Sequence, residues 1–265
     1  MTRTKKAWIN VLFLITTLAV NTMGALGIIN GLSQKDISDK YLTLITPAPF
    51  TFSIWSIIYS LLLISLVVMI LKKGDSYYER AVDEITNLFR ISCVLNMAWI
   101  VAFSSLMIEL SVLFIFLFLI TLTLICKKLL ALQKGKHFLL PLTFGMYTGW
   151  LLIATVVNIA AALVKVKWTG FGILPEAWSV IILIAALGIA LVVVLSNKNA
   201  VIPIPIAWAY FGIYKFLTAP EGYKGVYGNL QTTAIIGIVV LLGIFIIQFI
   251  RNGFSLVPEK TSKII

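Results

Sequence analysis

The chain has 265 residues, of which 60% are hydrophobic and only 12% are charged, and its formal net charge is +11. Soluble domains carry about 25% charged residues, so this composition excludes an ordinary soluble protein and predicts a membrane protein built from helices. The cations stand in short segments beside apolar runs, as the positive-inside rule predicts, so the positive charge does not indicate a nucleic-acid partner.

Eight apolar runs are candidates for helices that cross the bilayer, which requires about 20 residues each. They cover about 8–30, 49–71, 88–107, 110–132, 138–164, 177–196, 201–218 and 230–250. The first run exceeds the length of a typical signal-peptide core, so we interpret it as a retained span. The expected fold class is all-α, a polytopic bundle of transmembrane helices.

Lysine and arginine are distributed unevenly between the two sides of such a bundle. With a cytoplasmic N-terminus, 15 of these residues fall in inside segments and 6 in outside segments. This asymmetry predicts a multi-pass protein of the cell (inner) membrane with both termini in the cytoplasm and an even number of spans.

The connection between the first two spans, residues 32–46, is the longest outside segment and is polar. It leads into Pro47 and Pro49, which fix the direction of the chain where the second span begins and where a missing N–H does no harm. A connection in this position could cover the mouth of a pocket as a lid.

Aromatic and amide side chains recur on single helix faces in the second and third spans. Phe52, Trp55 and Tyr59 are spaced by three and four residues, so they share a face of the second span. Asn96 and Trp99 share a face of the third span in the same way. We interpret the aromatic face of the second span as one wall of a pocket.

The fifth span combines small residues with a second polar and aromatic face. Gly145 and Gly149 form a small-xxx-small pair, which allows close helix contact and permits a homodimer without requiring one. Trp150, Ala154 and Asn158 follow at intervals of four, and alanine leaves a shallow place between the two larger side chains. Either a flat ligand or a neighbouring helix could lie there, and the sequence leaves both alternatives open.

No Asp, Glu, Lys, Arg or His stands in the middle of a predicted span, which argues against a proton-driven or charge-driven mechanism. His137 lies in a basic loop, where we expect a solvated side chain rather than a metal or haem ligand. Amide, indole, phenol and hydroxyl groups remain, and they orient a ligand by hydrogen bonding. Alternatively, Asn21, Asn96 and Asn158 only join helices and the tryptophans only fill the core.

Three runs together resemble the tryptophan-rich sensory proteins of the translocator protein (TspO/MBR, peripheral benzodiazepine receptor) family. They are Pro47-Ala-Pro-Phe-Thr-Phe-Ser-Ile-Trp-Ser-Ile-Ile-Tyr59, Asn96-Met-Ala-Trp99 and Gly149-Trp-Leu-Leu-Ile-Ala-Thr-Val-Val-Asn158. The resemblance implies a TspO-like five-helix ligand-binding core over residues 1–164. Three further helices over 165–250 and a short cytoplasmic tail over 251–265 would then be additions.

Members of this family bind porphyrins and, in some cases, sterols or synthetic drugs. The resemblance implies a pocket beneath residues 32–46, lined by Trp55, Tyr59, Asn96, Trp99, Trp150, Ala154 and Asn158. Two departures from the family pattern stand out. Ala48 and Phe50 interrupt the usual Pro-Pro and Trp before the second span, and the fourth span has no Trp.

These features favour an integral membrane receptor or sensor that binds a flat hydrophobic ligand, such as a tetrapyrrole, within surrounding membrane lipid. No catalysis and no resident cofactor or metal are expected. The alternative is a facilitator or transporter that moves such a ligand across the membrane. A third hypothesis is an enzyme that degrades porphyrins with light or oxygen, using the tryptophans as redox partners.

Overall fold

The computed structural model describes residues 1–133, 135 and 137–259, and the regular secondary structure in these ranges consists of helices, without strands. The long helices are α1 (Arg3–Ala25), α3 (Ile54–Leu71), α4 (Ser76–Ser104), α5 (Ile108–Leu132), α6 (Leu139–Lys165), α7 (Pro175–Asn197), α8 (Pro203–Thr218) and α9 (Gly228–Arg251). The short elements are α2 (Gln34–Lys40) and two 3-10 helices (Pro49–Ser53 and Gly170–Gly172). The predicted all-α class is confirmed.

Seven helical segments in the described ranges are long and apolar enough to cross a membrane, which supports a multi-pass membrane protein. The predicted seventh span is the one that falls short. It forms α8, which has 16 residues and a length of only about 24 Å at about 1.5 Å per residue. Its prolines explain its start, because Pro203 occupies the first helical position, where no backbone N–H is required.

α7 and α9 nevertheless end at the same end of the bundle. The side-chain amide of Asn252, which caps α9, donates to the carbonyl oxygen of Lys198, which caps α7, over 2.8 Å. Ala200 donates its backbone N–H to the carbonyl of Leu256 over 2.8 Å. Since α8 connects α7 to α9, it must return across the bundle in the opposite direction.

α1 and α4 run side by side in the same direction, joined by ion pairs where both helices begin. Arg3 contacts Glu79 and Asp83, each at 2.7 Å, and Lys6 contacts Asp83 at 2.6 Å. We call this end of the bundle, where the chain starts, the near end, and the opposite end the far end. His137 also lies at the near end and stacks on Tyr77 with ring centroids 4.1 Å apart.

The third span was predicted to begin at about residue 88, but its helix begins earlier in the chain. α4 starts at Ser76, because Asp75 caps it by accepting the backbone N–H of Tyr77 over 2.9 Å. The charged residues that precede position 88, such as Glu79, Arg80 and Asp83, therefore lie in the first turns of α4. Arg90 lies well inside α4 but level with the start of α1, where it donates to the side-chain oxygen of Asn10 over 2.9 Å.

Gly145 and Gly149 bring α6 close to the connection between α7 and α8. A Cβ atom at Gly145 would lie 2.8 Å from side-chain atoms of Asn199, and one at Gly149 would collide with the carbonyl oxygen of Ile202. The small-residue pair is thus used within the chain, as close helix contact requires. A homodimer stays a prediction.

Residues 32–46 cover the far ends of several helices and contain α2. Ser33 and Asp36 form a capping box at the start of this helix. Ile37 is fully buried and packs in one small cluster with Ile108 of α5 and Ala161 of α6. The segment is therefore packed onto the bundle.

Candidate ligand-binding site

The predicted site residues come from three helices that face one another. α3 carries Trp55 and Tyr59, α4 carries Asn96 and Trp99, and α6 carries Trp150, Ala154 and Asn158. Their spacings of three, four and eight residues place the members of each group on one helix face. Six of the seven are linked by ring contacts or hydrogen bonds.

Trp55 is the centre of the aromatic contacts. Its ring stacks on Tyr59 with centroids 5.2 Å apart and an interplanar angle of 18°. Trp150 approaches it edge-on at 6.0 Å, and Trp99 lies 6.1 Å away. Offset and edge-on pairs at these distances are the favourable aromatic geometries. In this structure the rings themselves occupy the interior between α3, α4 and α6.

A chain of amide and phenol groups lies beside these rings and joins α1, α3, α4 and α6. The hydroxyl of Tyr59 donates to Asn21 Oδ1 over 2.9 Å, and Asn21 Nδ2 donates to Asn96 Oδ1 over 2.6 Å. Asn96 Nδ2 then donates to the hydroxyl of Tyr147 over 2.9 Å. Buried polar groups are costly unless they are paired, and these pairs satisfy one another.

A second polar connection joins α4, α5 and α6. The indole N–H of Trp99 donates to Asn158 Oδ1 over 2.9 Å, and Asn158 Nδ2 donates to the hydroxyl of Ser111 over 2.9 Å. These bonds agree with the alternative interpretation that the asparagines join helices. Both Asn96 and Asn158 thus have structural partners inside the bundle.

Trp150 differs from the other polar members of the group. Its side chain is only 2% exposed, and its indole N–H has no hydrogen-bond partner among the described residues. Phe52 packs edge-on against it at 6.1 Å and is itself 42% exposed. The cluster therefore contains one buried donor without an acceptor, between Trp55 and Phe52.

The sequence did not lead us to two residues that contribute to the aromatic cluster and its surroundings. Tyr147 was overlooked, although its position three residues before Trp150 is a sufficient signal. Trp208 of α8 was also overlooked, although it follows the two prolines that begin that helix. Ala154 is partly buried and packs against the hydrophobic core.

Trp208 reaches the short 3-10 helix that leads into α3. Its indole N–H donates to the carbonyl oxygen of Thr51 over 2.9 Å. An apolar groove of about 190 Å³ lies between α3, α6 and α8 and is lined by Ser53, Ile54, Ile57, Met146, Ile204, Pro205 and Trp208. Helices from both halves of the chain therefore meet next to the aromatic cluster.

A match to a protein-family model over most of the chain identifies the family. A protein-family model described as TSPO-like protein matches residues 7–247. The chain belongs to the TSPO-like family. Neither a curated protein nor a solved structure matches it. The resemblance predicted from three motifs is thereby confirmed, and the match continues through α7 and α8 and into α9 of this TSPO-like protein.

The chemistry available in the cluster is that of hydrogen bonding and ring contact. Its polar members are carboxamide, phenol and indole groups, and such groups orient a ligand by hydrogen bonding. In the described part of this TSPO-like protein, no three His, Cys, Asp or Glu side chains lie close enough together to hold a metal ion. The arrangement is suited to binding.

Electrostatic interactions stabilise the segment of residues 32–46 that covers the far end of the bundle. Asp36 accepts hydrogen bonds from the hydroxyl and the backbone N–H of Ser33 at 2.7 and 2.9 Å. These bonds favour the ionised carboxylate and hold the pKa of Asp36 below its ordinary value of 3.8. The start of α2 in this TSPO-like protein is therefore stabilised by a charged carboxylate.

Proposed function

We propose that this TSPO-like protein is a membrane receptor or sensor that binds a flat, hydrophobic ligand among Trp55, Tyr59, Trp99 and Trp150. The unpaired indole N–H of Trp150 is the observation that carries the proposal. A buried donor without an acceptor costs about 1–3 kcal/mol, and a ligand that supplies an acceptor there recovers that free energy. The ligand therefore combines an apolar ring with a hydrogen-bond acceptor.

A tetrapyrrole fits this description, because it is a flat ring system that carries carboxylate acceptors on short chains. Aromatic side chains provide rigid apolar surfaces against which such a ring packs. Since Trp55 and Trp150 now contact each other at 6.0 Å, binding requires one of the two indoles to turn aside. The exposed Phe52 beside Trp150 leaves room on that side.

The asparagines have a supporting role in this proposal. Asn21, Asn96 and Asn158 bond to other side chains of the bundle, so they hold α1, α4, α5 and α6 around the rings. Ala154 supplies a small surface between Trp150 and Asn158. The packed segment 32–46 acts as a lid at the far end.

The test is a titration of the purified full chain with protoporphyrin IX, followed by quenching of tryptophan fluorescence. We expect saturable quenching in the wild type and affinity about tenfold weaker in Trp150→Phe, which keeps an aromatic ring but removes the donor. Trp178→Phe is the matched control, because the indole N–H of Trp178 already donates to the carbonyl of Gly170 over 2.6 Å. Unchanged affinity in a Trp55→Ala, Trp150→Ala double variant would contradict the proposal.

A facilitator that moves the ligand across the membrane is the second candidate. The apolar groove beside Pro205, between α3, α6 and α8, favours it, because it offers a lateral surface next to the cluster. Proteoliposomes loaded with protoporphyrin IX separate the two functions. A receptor binds the porphyrin without net flux, whereas a facilitator equilibrates it faster than protein-free vesicles do.

We propose binding without chemical change to the ligand. Among the described residues, no three His, Cys, Asp or Glu side chains lie close enough together to hold a metal ion, and family membership also supports binding without catalysis. Illumination of the complex in the presence of oxygen tests this. A protein-dependent change in the absorption spectrum of the porphyrin, absent in Trp55→Ala, would instead indicate degradation.

We further propose an inner-membrane location with both termini cytoplasmic. The lysine and arginine asymmetry supports this orientation. So do the contacts at the near end, where Arg3 pairs with the start of α4 and Asn252 bonds to the end of α7. Cysteine labelling from each side of the membrane, at Lys5→Cys and Lys224→Cys, tests the orientation.

A further inference from the structure

α8 contacts the short 3-10 helix at three neighbouring points. Trp208 donates to the carbonyl of Thr51 over 2.9 Å, and the carbonyl of Gly212 accepts the backbone N–H of Ala48 over 3.0 Å. A Cβ atom at Gly212 would collide with the hydroxyl of Thr51, which is fully buried. Only glycine allows α8 to approach this closely.

α8 makes an equally close contact with α6, on the other side of the aromatic cluster. A Cβ atom at Gly149 would collide with the carbonyl oxygen of Ile202 and would lie 2.6 Å from the ring of Pro205. Gly149 immediately precedes Trp150, whose indole is part of the cluster. The start of α8 is therefore seated directly behind one wall of the candidate site.

Both contacts are connected to the rings through the backbone. Thr51 immediately precedes Phe52, and the 3-10 helix runs without a break into α3, which carries Trp55. Phe52 and Trp55 both pack edge-on against Trp150, at 6.1 and 6.0 Å. A displacement of Thr51 therefore changes the position of both rings relative to Trp150.

We propose that α8 positions the two walls of the ligand site, so that the C-terminal helices are part of the site rather than an addition to a self-sufficient core. This inference rests on the proposed function. Gly149, Trp208 and Gly212 are positioning residues: they set the separation of Phe52 and Trp55 from Trp150. The division of the chain near residue 164 then separates two halves of one binding unit.

The first test replaces one glycine in the full-length protein. Gly212→Ala pushes the 3-10 helix away from α8, and we expect its affinity for protoporphyrin IX to fall about tenfold or more. Gly243→Ala in α9 is the matched control, because a Cβ atom there meets no atom within 4 Å. Its affinity should equal that of the wild type.

A rescue variant separates positioning from general destabilisation. In Gly212→Ala, the added methyl collides with the hydroxyl and methyl groups of Thr51, so Thr51→Ala in the same chain removes both of those atoms. The double variant should regain most of the affinity. Trp208→Phe removes the hydrogen bond to Thr51 and replaces a larger ring that packs against Phe50 and Phe211, and it should lower affinity without loss of the folded fraction in thermal unfolding.

A measurement without ligand separates the proposed role of α8 from the proposed binding of a porphyrin. The near-ultraviolet circular dichroism of the aromatic cluster should change in Gly212→Ala, return with Thr51→Ala and stay constant in Gly243→Ala. An unchanged spectrum together with unchanged affinity in folded Gly212→Ala would overturn the role of α8. A changed spectrum in a protein whose wild type binds no porphyrin would support that role and overturn the proposed ligand.

Discussion

The indole N–H of Trp99 donates to the side-chain oxygen of Asn158 over 2.9 Å, and this bond fastens α4 to α6 beside the aromatic cluster. Both side chains are buried, at 8% and 4% exposure. Two residues predicted to contact a ligand thus contact each other. In the proposed site, Asn158 is therefore a support, while Trp99 both fastens α4 to α6 and presents its ring to the ligand beside Trp55 and Trp150.

The strength of this bond can be measured with a double-mutant cycle. Asn158→Leu should lower the free energy of unfolding by about 1–3 kcal/mol, because it leaves the buried N–H of Trp99 unpaired. In combination with Trp99→Phe, the coupling free energy should be about 0.5–1.5 kcal/mol. Unfolding in detergent micelles gives the four values, and strictly additive single effects would show that the bond contributes nothing.

Asn21 is the next test, because it connects α1 to both α3 and α4. Asn21→Leu removes the acceptor of the Tyr59 hydroxyl and the donor to Asn96. Each helix–helix hydrogen bond in a membrane is worth about 0.6 kcal/mol on average, so we expect a loss of about 1–2 kcal/mol. Thr22→Val is the control, since Thr22 bonds only to the carbonyl of Leu18 in its own helix. Equal effects of the two substitutions would argue against the network.

α9 contains a matched pair of glycines that tests packing against α8. A Cβ atom at Gly237 would collide with the ring of Tyr210, whereas one at Gly243 meets open space. Gly237→Ala should therefore destabilise the protein by about 1–3 kcal/mol through overpacking. Gly243→Ala should be neutral or stabilising by up to about 1 kcal/mol, because alanine favours the helix. A reversed order in thermal unfolding would contradict the packing of these helices.

The capping box of α2 should respond to acid. The folded pKa of Asp36 is lowered, so its contribution to stability is present above the ordinary pKa and is lost as the pH falls through the folded value. The protection of the Ser33 amide, which is the ratio of its intrinsic to its observed hydrogen-exchange rate, should fall as the pH drops below about 4, near the ordinary pKa of 3.8, and should stay constant over this range in Asp36→Asn.

Asp39→Asn in the same helix provides the control for that experiment. Asp39 pairs with Lys35 one turn earlier and makes no bond to Ser33. Its replacement should leave the acid response of the Ser33 amide intact. An acid response that is equally strong in Asp36→Asn would show that the capping box is not its source.

Helical spacing made most of the candidate site predictable. Trp55 with Tyr59, and Trp150 with Asn158, share faces because four residues make about one helical turn. The all-helical membrane fold followed from apolar runs of sufficient length. Residue spacing shows which side chains share a helix face but not which neighbouring helix that face contacts. The contact of Trp208 with the 3-10 helix therefore could not be predicted from the sequence.

The start of α4, which lies before the predicted third span, has a specific physical reason. Hydropathy marks the part of a helix that lies in an apolar environment, but hydrogen bonds and caps decide where the helix begins. α4 therefore starts at its cap, Asp75, and its charged first turns pair with α1. The seventh span, predicted at 201–218, agrees with α8 within two residues, and this helix is short because its start is fixed by Pro203 and its preceding turn is buried in protein.

The turn before α8 has a consequence for how the chain assembles. A buried backbone N–H requires an acceptor, and the N–H of the fully buried Ala200 finds one in the carbonyl oxygen of Leu256. That partner is synthesised only after α9. A nascent chain that ends at Thr218 lacks this acceptor, so the turn completes its hydrogen bonding only after the helix that follows α8 has been synthesised.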